Sequence, residues 1–251
     1  MKSFVFDIDG TICNNAKYID EEIECEIAKI LDAKIDVVFA SARPIRDMLP
    51  LLPVKYHKCL LIGCNGGISY KGGDFLSIAY FKHLEIQVVL KYLKKHKIPF
   101  VLDGDWFYSV SENFHPFHNY IRSLSNYEFT EKEIEQKGIT KILILDSKFK
   151  YQVEDFLTHN GISHSLNLHT RDDCFDITPS ANNKLIALQN CNIDLTSSVV
   201  FGNDKNDFEM LKEAGKSVFV GDDGFFDRAD VYTEFEGVAK IISQEILKLK
   251  R

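Results

Sequence analysis

Apolar residues fall in short runs bounded by polar turns, and the spacing of those runs predicts the elements of the chain. Ser3-Phe4-Val5-Phe6 reads as a buried β-strand, followed at once by the acidic turn Asp7-Ile8-Asp9-Gly10-Thr11. Asp20 is placed to cap a helix reaching about Leu31, with Glu21 and Glu22 favourable at its positive end. Asp36–Ala40 forms a second strand. Pro44 opens a second helix that Pro50 helps to end, and Cys59–Gly63 is a third apolar strand. Strands separated by helices of this length imply right-handed crossovers and a parallel sheet.

The rhythm then changes. Ile68-Ser69-Tyr70 and Phe75-Leu76-Ser77, joined by Lys71-Gly72-Gly73-Asp74, read as a small hairpin. From about Leu84 to Asp176 the pattern is helix, two short strands around Trp106, helix, a strong strand at Ile139–Leu145, helix and two more strands. That block reads as an inserted α+β domain. Alternation resumes near Asn182, with a helix at Lys184–Gln189, a strand at Val199–Phe201, a helix at Phe208–Ala214, and strands at Val218–Val220 and Val231-Tyr232. The closing helix carries Val238, Ile241, Ile242 and Leu249 on one face, the spacing of a helix packed on a sheet. The expected fold class is α/β. Residues 1–80 and 180–251 would form a doubly wound, Rossmann-like parallel-sheet core, and residues 81–179 the inserted α+β unit.

Composition narrows the function. A chain of 251 residues can bury one large core, or one core with a smaller second domain. Its apolar content of 45% and charged content of 27% are those of a soluble globular protein, and its net charge of −7 argues against a nucleic-acid partner. Lys91, Lys94, Lys95 and Lys97 cluster at helical spacing and are most simply a solvated face. No apolar run reaches membrane-spanning length, and the N-terminus does not read as a signal peptide. Cys13, Cys25, Cys59, Cys64, Cys174 and Cys191 are scattered without a C-x-x-C pair, the pattern of reduced thiols in a cytosolic protein. His115 and His118 stand at helical spacing and are read as surface or packing residues.

Candidate chemistry begins at the first turn. Asp7 and Asp9 stand at the carboxyl end of a parallel strand, where open α/β sheets bind ligands, and Gly10 lets the chain turn sharply. Such concentrated negative charge calls for a hard divalent cation with oxygen ligands. Asp-Gly is also a common turn pair. An EF-hand loop is excluded by Ile12 and Tyr18, which occupy the places of its glycine and terminal glutamate, and no G-x-G-x-x-G follows the strand. Three further places carry residues suited to phosphate chemistry. These are Ser41 after Ala40, Lys184 at the start of a helix, and Gly202-Asn203-Asp204-Lys205-Asn206-Asp207 after Phe201. Singly, each has a bland explanation as a helix cap, a surface charge or a polar turn. Jointly they fall on one sheet edge, and there chemistry explains them better.

This set resembles the haloacid-dehalogenase-like (HAD) superfamily, whose four motifs occur in the same order. It is most similar to the Cof-like branch of sugar-phosphate phosphatases, which carries a large α+β cap. Asp7–Thr11 looks like the nucleophile motif, Ser41 the second motif, Lys184 the third and Gly202–Leu211 the fourth. Cys64-Asn65-Gly66-Gly67 looks like that branch's turn into the cap, and Ala229–Val231 with Glu236–Ala239 like its C-terminal signature. The resemblance implies Mg2+-dependent hydrolysis of small phosphate monoesters, sugar phosphates foremost, through an aspartyl-phosphate. It implies Asp7 as nucleophile, Asp9 as general acid and base, and Ser41 and Lys184 as catalytic groups on the phosphate. It places Gly10, Thr11, Ala42, Arg43, Asn65, Gly66 and Asn206 around the substrate, and Asp7, Asp9, Asn203, Asp204 and Asp207 around the metal.

Three departures from that pattern matter. Asn203 replaces the family's usual aspartate, which removes a charge and should weaken Mg2+ binding, while Asp204 beside it could supply the missing carboxylate. Ala42 and Leu185 each stand where relatives usually have glycine. The implied partner is a small phosphorylated metabolite, without nucleic acid or membrane, acting on a cytoplasmic monomer or small homo-oligomer. Alternatives are a phosphosugar mutase using the same intermediate, and a catalytically weak phosphosugar-binding or regulatory protein. A response-regulator receiver shares a strand-end aspartate and a lysine but lacks so large an insert. Within the insert, Asp103-Gly104-Asp105-Trp106-Phe107-Tyr108 joins acidic and aromatic residues. They could hold a sugar, or the aromatics could alternate across a small sheet and fill its core.

Overall fold

The computed structural model describes residues 3–169, 173–180 and 182–249. The chain first lays down β1 (Ser3–Phe6), α1 (Glu21–Asp32), β2 (Asp36–Ala40), α2 (Ile45–Met48) and β3 (Leu60–Gly63), then the hairpin β4 (Ile68–Lys71) and β5 (Asp74–Ile78). An inserted unit follows: α3 (His83–Lys95), β6 (Phe100–Asp103), β7 (Tyr108–Val110), α4 (Pro116–Leu124), α5 (Glu131–Lys137), β8 (Lys141–Ile144), α6 (Lys150–His159), β9 (His164–His169) and β10 (Cys174–Pro179). The chain ends with α7 (Lys184–Asn190), β11 (Val199–Gly202), α8 (Phe208–Lys212), β12 (Lys216–Val220), β13 (Val231–Thr233) and α9 (Val238–Leu249).

The larger sheet has the order β13-β12-β11-β1-β2-β3-β4-β5. Its first six strands run parallel, and the β4–β5 hairpin extends one edge antiparallel. From β1 the chain steps outward to β3, then returns to the other side of β1 and steps outward from β11 to β13. β1 and β11 are therefore neighbours where the winding reverses, and the loops leaving them part to form a crevice. Side-chain alternation builds the two flanking layers. Phe4, Phe6 and Phe39 pack with Ile23, Ile27, Ile242 and Ile246 from α1 and α9, whereas Val5, Val38 and Val200 pack with Leu188, Met210 and Leu211 from α7 and α8. Both faces are covered, so the central strands read as near-continuous apolar runs. In α9, Val238 and Ile242 are buried and Ile241 packs against them; the side chain of Leu249 lies outside the described residues. Among the described residues no helix is long and apolar enough to cross a membrane.

The inserted unit is a five-stranded antiparallel sheet, β7-β6-β8-β10-β9. One face buries Phe100, Leu102, Ile142 and Phe175 against Ile86, Leu90, Ile134 and Leu157 of α3, α5 and α6. The opposite face carries Val101, Leu143 and Cys174 against Ile121 of α4. By the same alternation Asp103, Lys141 and Asp176 share that second face. The fold class is the expected one. The single helix expected between the strands around Trp106 and the strand near Ile139 is in fact two. Each has its own capping box, His115 with His118 at α4 and Thr130 with Glu133 at α5. His118 is thus a packing residue, as read, whereas the cap that His115 and His118 form at α4 is a feature the sequence reading did not include.

Candidate active site

The backbone N–H of Asp7 donates to Phe201 O at 3.0 Å, which ties the first residue after β1 to its neighbour β11. Gly10 adopts a φ of 83°, a left-handed turn that suits glycine. Thr11, folded back by that turn, points Oγ1 at Asp7 Oδ2 (2.9 Å) and Asn203 Oδ1 (3.2 Å). The other Asp7 oxygen accepts from Lys184 Nζ at 2.6 Å, and the same ammonium donates to Asp207 Oδ1 at 2.7 Å. Asp207 Oδ2 accepts from the backbone N–H groups of Asn203 and Asp204 at 2.9 and 3.1 Å. Both oxygens of Asp207 are therefore engaged, and it stands behind Asp7, bracing Lys184 and the turn after β11.

Electrostatics follow from this burial. Burial and the neighbouring charge of Asp207 push the Asp7 carboxyl up to about 7, although Lys184 pulls the other way. For Lys184, burial opposes the charge, but Asp207 and Asp7 outweigh it and raise the ammonium above its usual range. The position of Lys184 rests on the turn after β3. Asn183 caps α7 by accepting from Ile186 N–H at 2.8 Å, and a Cβ on Gly66 would lie 2.2 Å from Asn183 O. Gly66, at φ 97°, lets the turn lie against that cap and does not border the cleft.

Asp9 faces the opposite side. Arg43 holds it through two bonds, Nε to Oδ2 and Nη2 to Oδ1, each 2.7 Å. Burial opposes the Arg43 charge, but Asp9 more than compensates. Ser41 lies at the end of β2, its N–H bonded to Ile62 O at 2.8 Å and its Oγ accepting from Arg43 N–H at 3.1 Å. Asn65 is buried away from the cleft, where it donates to Asp176 at 3.0 Å and accepts from Asn206 at 2.9 Å. Thus Asp7, Asp9, Gly10, Ser41, Ala42, Arg43, Asn203, Asp204 and Asn206 border one cleft of about 520 Å³, and Thr11, Asn65, Gly66, Lys184 and Asp207 form the layer behind it.

Among the described residues no three His, Cys, Asp or Glu side chains converge into a ready-made metal cage. The reason is visible: the Asp9 side chain is turned to Arg43, Asp207 serves Lys184, and Asn203 is not a carboxylate. The oxygens nearest Asp7 nevertheless suit a hard cation. Thr11 Oγ1 lies within bonding distance of both Asp7 Oδ2 and Asn203 Oδ1, yet a hydroxyl has one proton and satisfies one of them. The other oxygen keeps a lone pair that a cation could take, and the Asp7 carboxyl is raised first by burial and then by Asp207, both of which a bound cation would offset.

The sequence reading singled out Asp103 of the roof of the cleft, in the Asp103–Tyr108 turn, and missed Lys141 and Asp176. Asp103 and Asp176 of the inserted sheet are buried there, joined by Lys141, whose Nζ lies 3.2 Å from Asp103 and 3.5 Å from Asp176. Lys141 also donates to Ala42 O at 3.1 Å, and Arg46 of α2 pairs with Asp103 at 2.5 Å. His169 lies 2.9 Å from Asp176. One signal was available: a charged residue inside an otherwise apolar strand, in Lys141-Ile142-Leu143-Ile144 and Cys174-Phe175-Asp176-Ile177. The aromatic part of the turn proposed for sugar contact does otherwise. Trp106 sits edge-on to Phe75 and Tyr127, and Phe107 stacks on Phe129 at 3.9 Å. Neither they nor Asp105 border the cleft, so the aromatics there are packing, and of that stretch Asp103 alone reaches the cleft.

Comparison with known proteins identifies the family and the fold. A family model described as haloacid dehalogenase-like hydrolase matches residues 4–242. A phosphoglycolate phosphatase of Methanobrevibacter smithii is 25% identical over 232 residues, 86% of this chain and 83% of its own. An HMP-PP phosphatase of Citrobacter koseri is 24% identical over 231 residues, covering 86% and 82%. The solved structure of a haloacid dehalogenase-like hydrolase from Bacteroides thetaiotaomicron superposes with a TM-score of 0.81 over 97% of this chain and 99% of its own, at 19% identity.

Proposed function

The chain belongs to the haloacid dehalogenase-like hydrolases and is a phosphatase of that family, and from that premise we propose that it cleaves small phosphate monoesters with Mg2+ through an aspartyl-phosphate on Asp7. One observation carries the reading: a buried carboxylate, Asp7, at the floor of a cleft with a buried ammonium 2.6 Å from it. The difficulty in phosphate ester cleavage is that nucleophile and phosphate are both anions. Lys184 meets it by placing fixed positive charge beside the attacking oxygen, where no reorganisation is needed as charge shifts. Mg2+, held by Asp7, Asn203 and the Asp204 loop, would supply further neutralisation between the two anions. Asp7 attacks phosphorus in line, forming an O–P bond as the bond to the leaving oxygen breaks.

Asp9 supplies the proton for that oxygen and then takes one from the water that hydrolyses the intermediate. Its pairing with Arg43 fits this role. An arriving phosphate competes for the guanidinium, which frees the Asp9 carboxyl for proton transfer. Ser41 Oγ and the backbone N–H groups of the turn after β1 hold the phosphate oxygens. Residues 81–179 act as the cap, with Lys141 and Arg46 fastening it over the cleft. The test is phosphate release from a panel of phosphorylated small molecules with Mg2+, repeated after chelation and with Asp7→Asn. Activity that survives chelation, or that survives in Asp7→Asn, overturns the proposed mechanism.

A further inference from the structure

We propose that the leaving group this cleft prefers is a flat, apolar-faced ring, an aromatic or heteroaromatic alcohol rather than a polyol; this deepens the phosphatase reading and rests on it. The roof of the cleft is divided. Toward β2 and α2 it is polar, with Asp103, Lys141 and Asp176. Away from them it is a continuous apolar wall of Phe117, Tyr120, Ile121 and Leu124 from α4 and Leu143 from β8. The division is a consequence of strand alternation, because Lys141 and Leu143 point to the same face two residues apart.

Two features make the wall a place for a ring. Phe117 and Tyr120 stand with ring centroids 5.2 Å apart, and Tyr120 is 40% exposed, so a broad aromatic surface is offered to the cleft. Tyr120 borders the same cleft as Arg43 and Asp9, so that surface and the pair that would meet the phosphate face one space. A group esterified to a phosphate at Asp7 shares that cleft with the wall.

The polar half offers a polyol little. Arg46 and Lys141 both pair with Asp103, Arg46 donates also to Phe107 O and Lys141 to Ala42 O, and one Asp176 oxygen accepts from Asn65 and contacts His169. Among the described residues the buried side-chain acceptors of the cleft without a hydrogen-bond partner are Asp47 Oδ1, Asp176 Oδ1 and Asn206 Oδ1, and the first two already face a cation, Arg46 Nε at 3.3 Å and Lys141 Nζ at 3.5 Å. They can receive one or two donors on the edge of a ring. A sugar with several hydroxyls would strip water from groups that find no partner.

Binding of two uncleavable probes, benzylphosphonate and 2-hydroxyethylphosphonate, to the whole protein with Mg2+ tests this without turnover. Benzylphosphonate is expected to bind about tenfold more tightly or better, the scale set by apolar complementarity in a pocket. Tyr120→Ala and Leu124→Ala should each erode that preference by about threefold or more, and Tyr120→Phe should keep it, because the ring is retained. Equal affinity for the two probes, or an unchanged preference in Tyr120→Ala and Leu124→Ala proteins that melt like the wild type, overturns the inference. Turnover separates it from the reading beneath. Benzyl phosphate and glucose 6-phosphate are both esters of primary alcohols, so leaving-group basicity does not bias the comparison. A higher kcat/KM for benzyl phosphate supports the inference, and a higher one for glucose 6-phosphate overturns it while the phosphatase reading stands. If neither releases phosphate although benzylphosphonate is preferred, it is the phosphatase reading that fails.

Discussion

At the scale of the residue, two aspartates two positions apart are set to different tasks by their surroundings. Asp7 is buried between Lys184 and Thr11, whereas Asp9 is half exposed and clamped by Arg43. Asp7→Asn keeps the shape, with its amide oxygen able to accept from Lys184 and its amide N–H able to donate to Thr11 Oγ1, but not the nucleophile, so kcat should fall by at least about a thousandfold with the melting temperature little changed. Asp9→Asn should cost about 10²–10⁴ in kcat, and more for alkyl than for aryl phosphates, whose leaving oxygens need the proton less. Equal losses on the two classes of ester would remove Asp9 from the general-acid role. Asn203 is the residue whose replacement should improve binding. Its oxygen lies 3.2 Å from Thr11 Oγ1 beside Asp7, while Asp204 accepts from Lys205 N–H at 2.7 Å. Asn203→Asp should therefore tighten Mg2+ by restoring a charge, and Asp204→Asn should change it less. Metal titration of both variants decides which of the two adjacent positions holds the ion.

At the scale of the element, the site depends on how loops lean on one another. Gly66→Ala would force a side chain into the left-handed region and into Asn183 O, costing about 1–3 kcal/mol and shifting the start of α7 with Lys184. Loss of kcat beyond what the drop in stability explains is the expected result, read from kinetics well below the melting temperature. The clamp between α2 and the inserted sheet is electrostatic. Burial alone would raise the Asp103 carboxyl, but Lys141 and Arg46 outweigh it and hold it below the usual carboxylate range. A depressed folded value means that its contribution to stability is complete above about pH 4 and is lost as pH falls through the lower folded value. Asp103→Asn leaves two buried cations short of a partner and should cost about 3–5 kcal/mol near neutral pH. It should also flatten the acid limb of the stability profile, which denaturant melts at several pH values would show; an unchanged slope would separate acid unfolding from this clamp.

At the scale of the whole molecule, the cleft exists because two sheets meet across it, so a ligand that touches both should steady both. Inorganic phosphate with Mg2+ at about a hundred times its dissociation constant should add about 2.7 kcal/mol, which is roughly 5–10 °C in a chain of this size. Chelation should abolish the gain. A melting temperature indifferent to phosphate and Mg2+ together would sink the reading of the cleft as a phosphate site.

The legible parts were those that depend on neighbours in sequence. The apolar runs around Phe4, Val37 and Val199 announced buried parallel strands, Asp20 announced the start of α1, and the acidic turn after Phe6 announced charge at a strand end, because alternation, capping and turn chemistry act over a few residues. Ser41, Lys184 and the turn after Phe201 could be assigned to one edge from the order of strands alone. What sequence could not reveal is which of those groups touch and which stand behind: that Asp207 serves Lys184, that Asp9 is held by Arg43, and that Gly66 supports Asn183. That the roof of the cleft is one cluster was hidden for the same reason. Asp103, Lys141 and Asp176 lie on three different strands and become one cluster only when the inserted sheet pairs and settles on α2, a result of packing between segments far apart in the chain. Trp106, conspicuous in the sequence, is turned instead into the seam with Phe75, since apolar burial against the nearest partner outweighs any local hint of a sugar site.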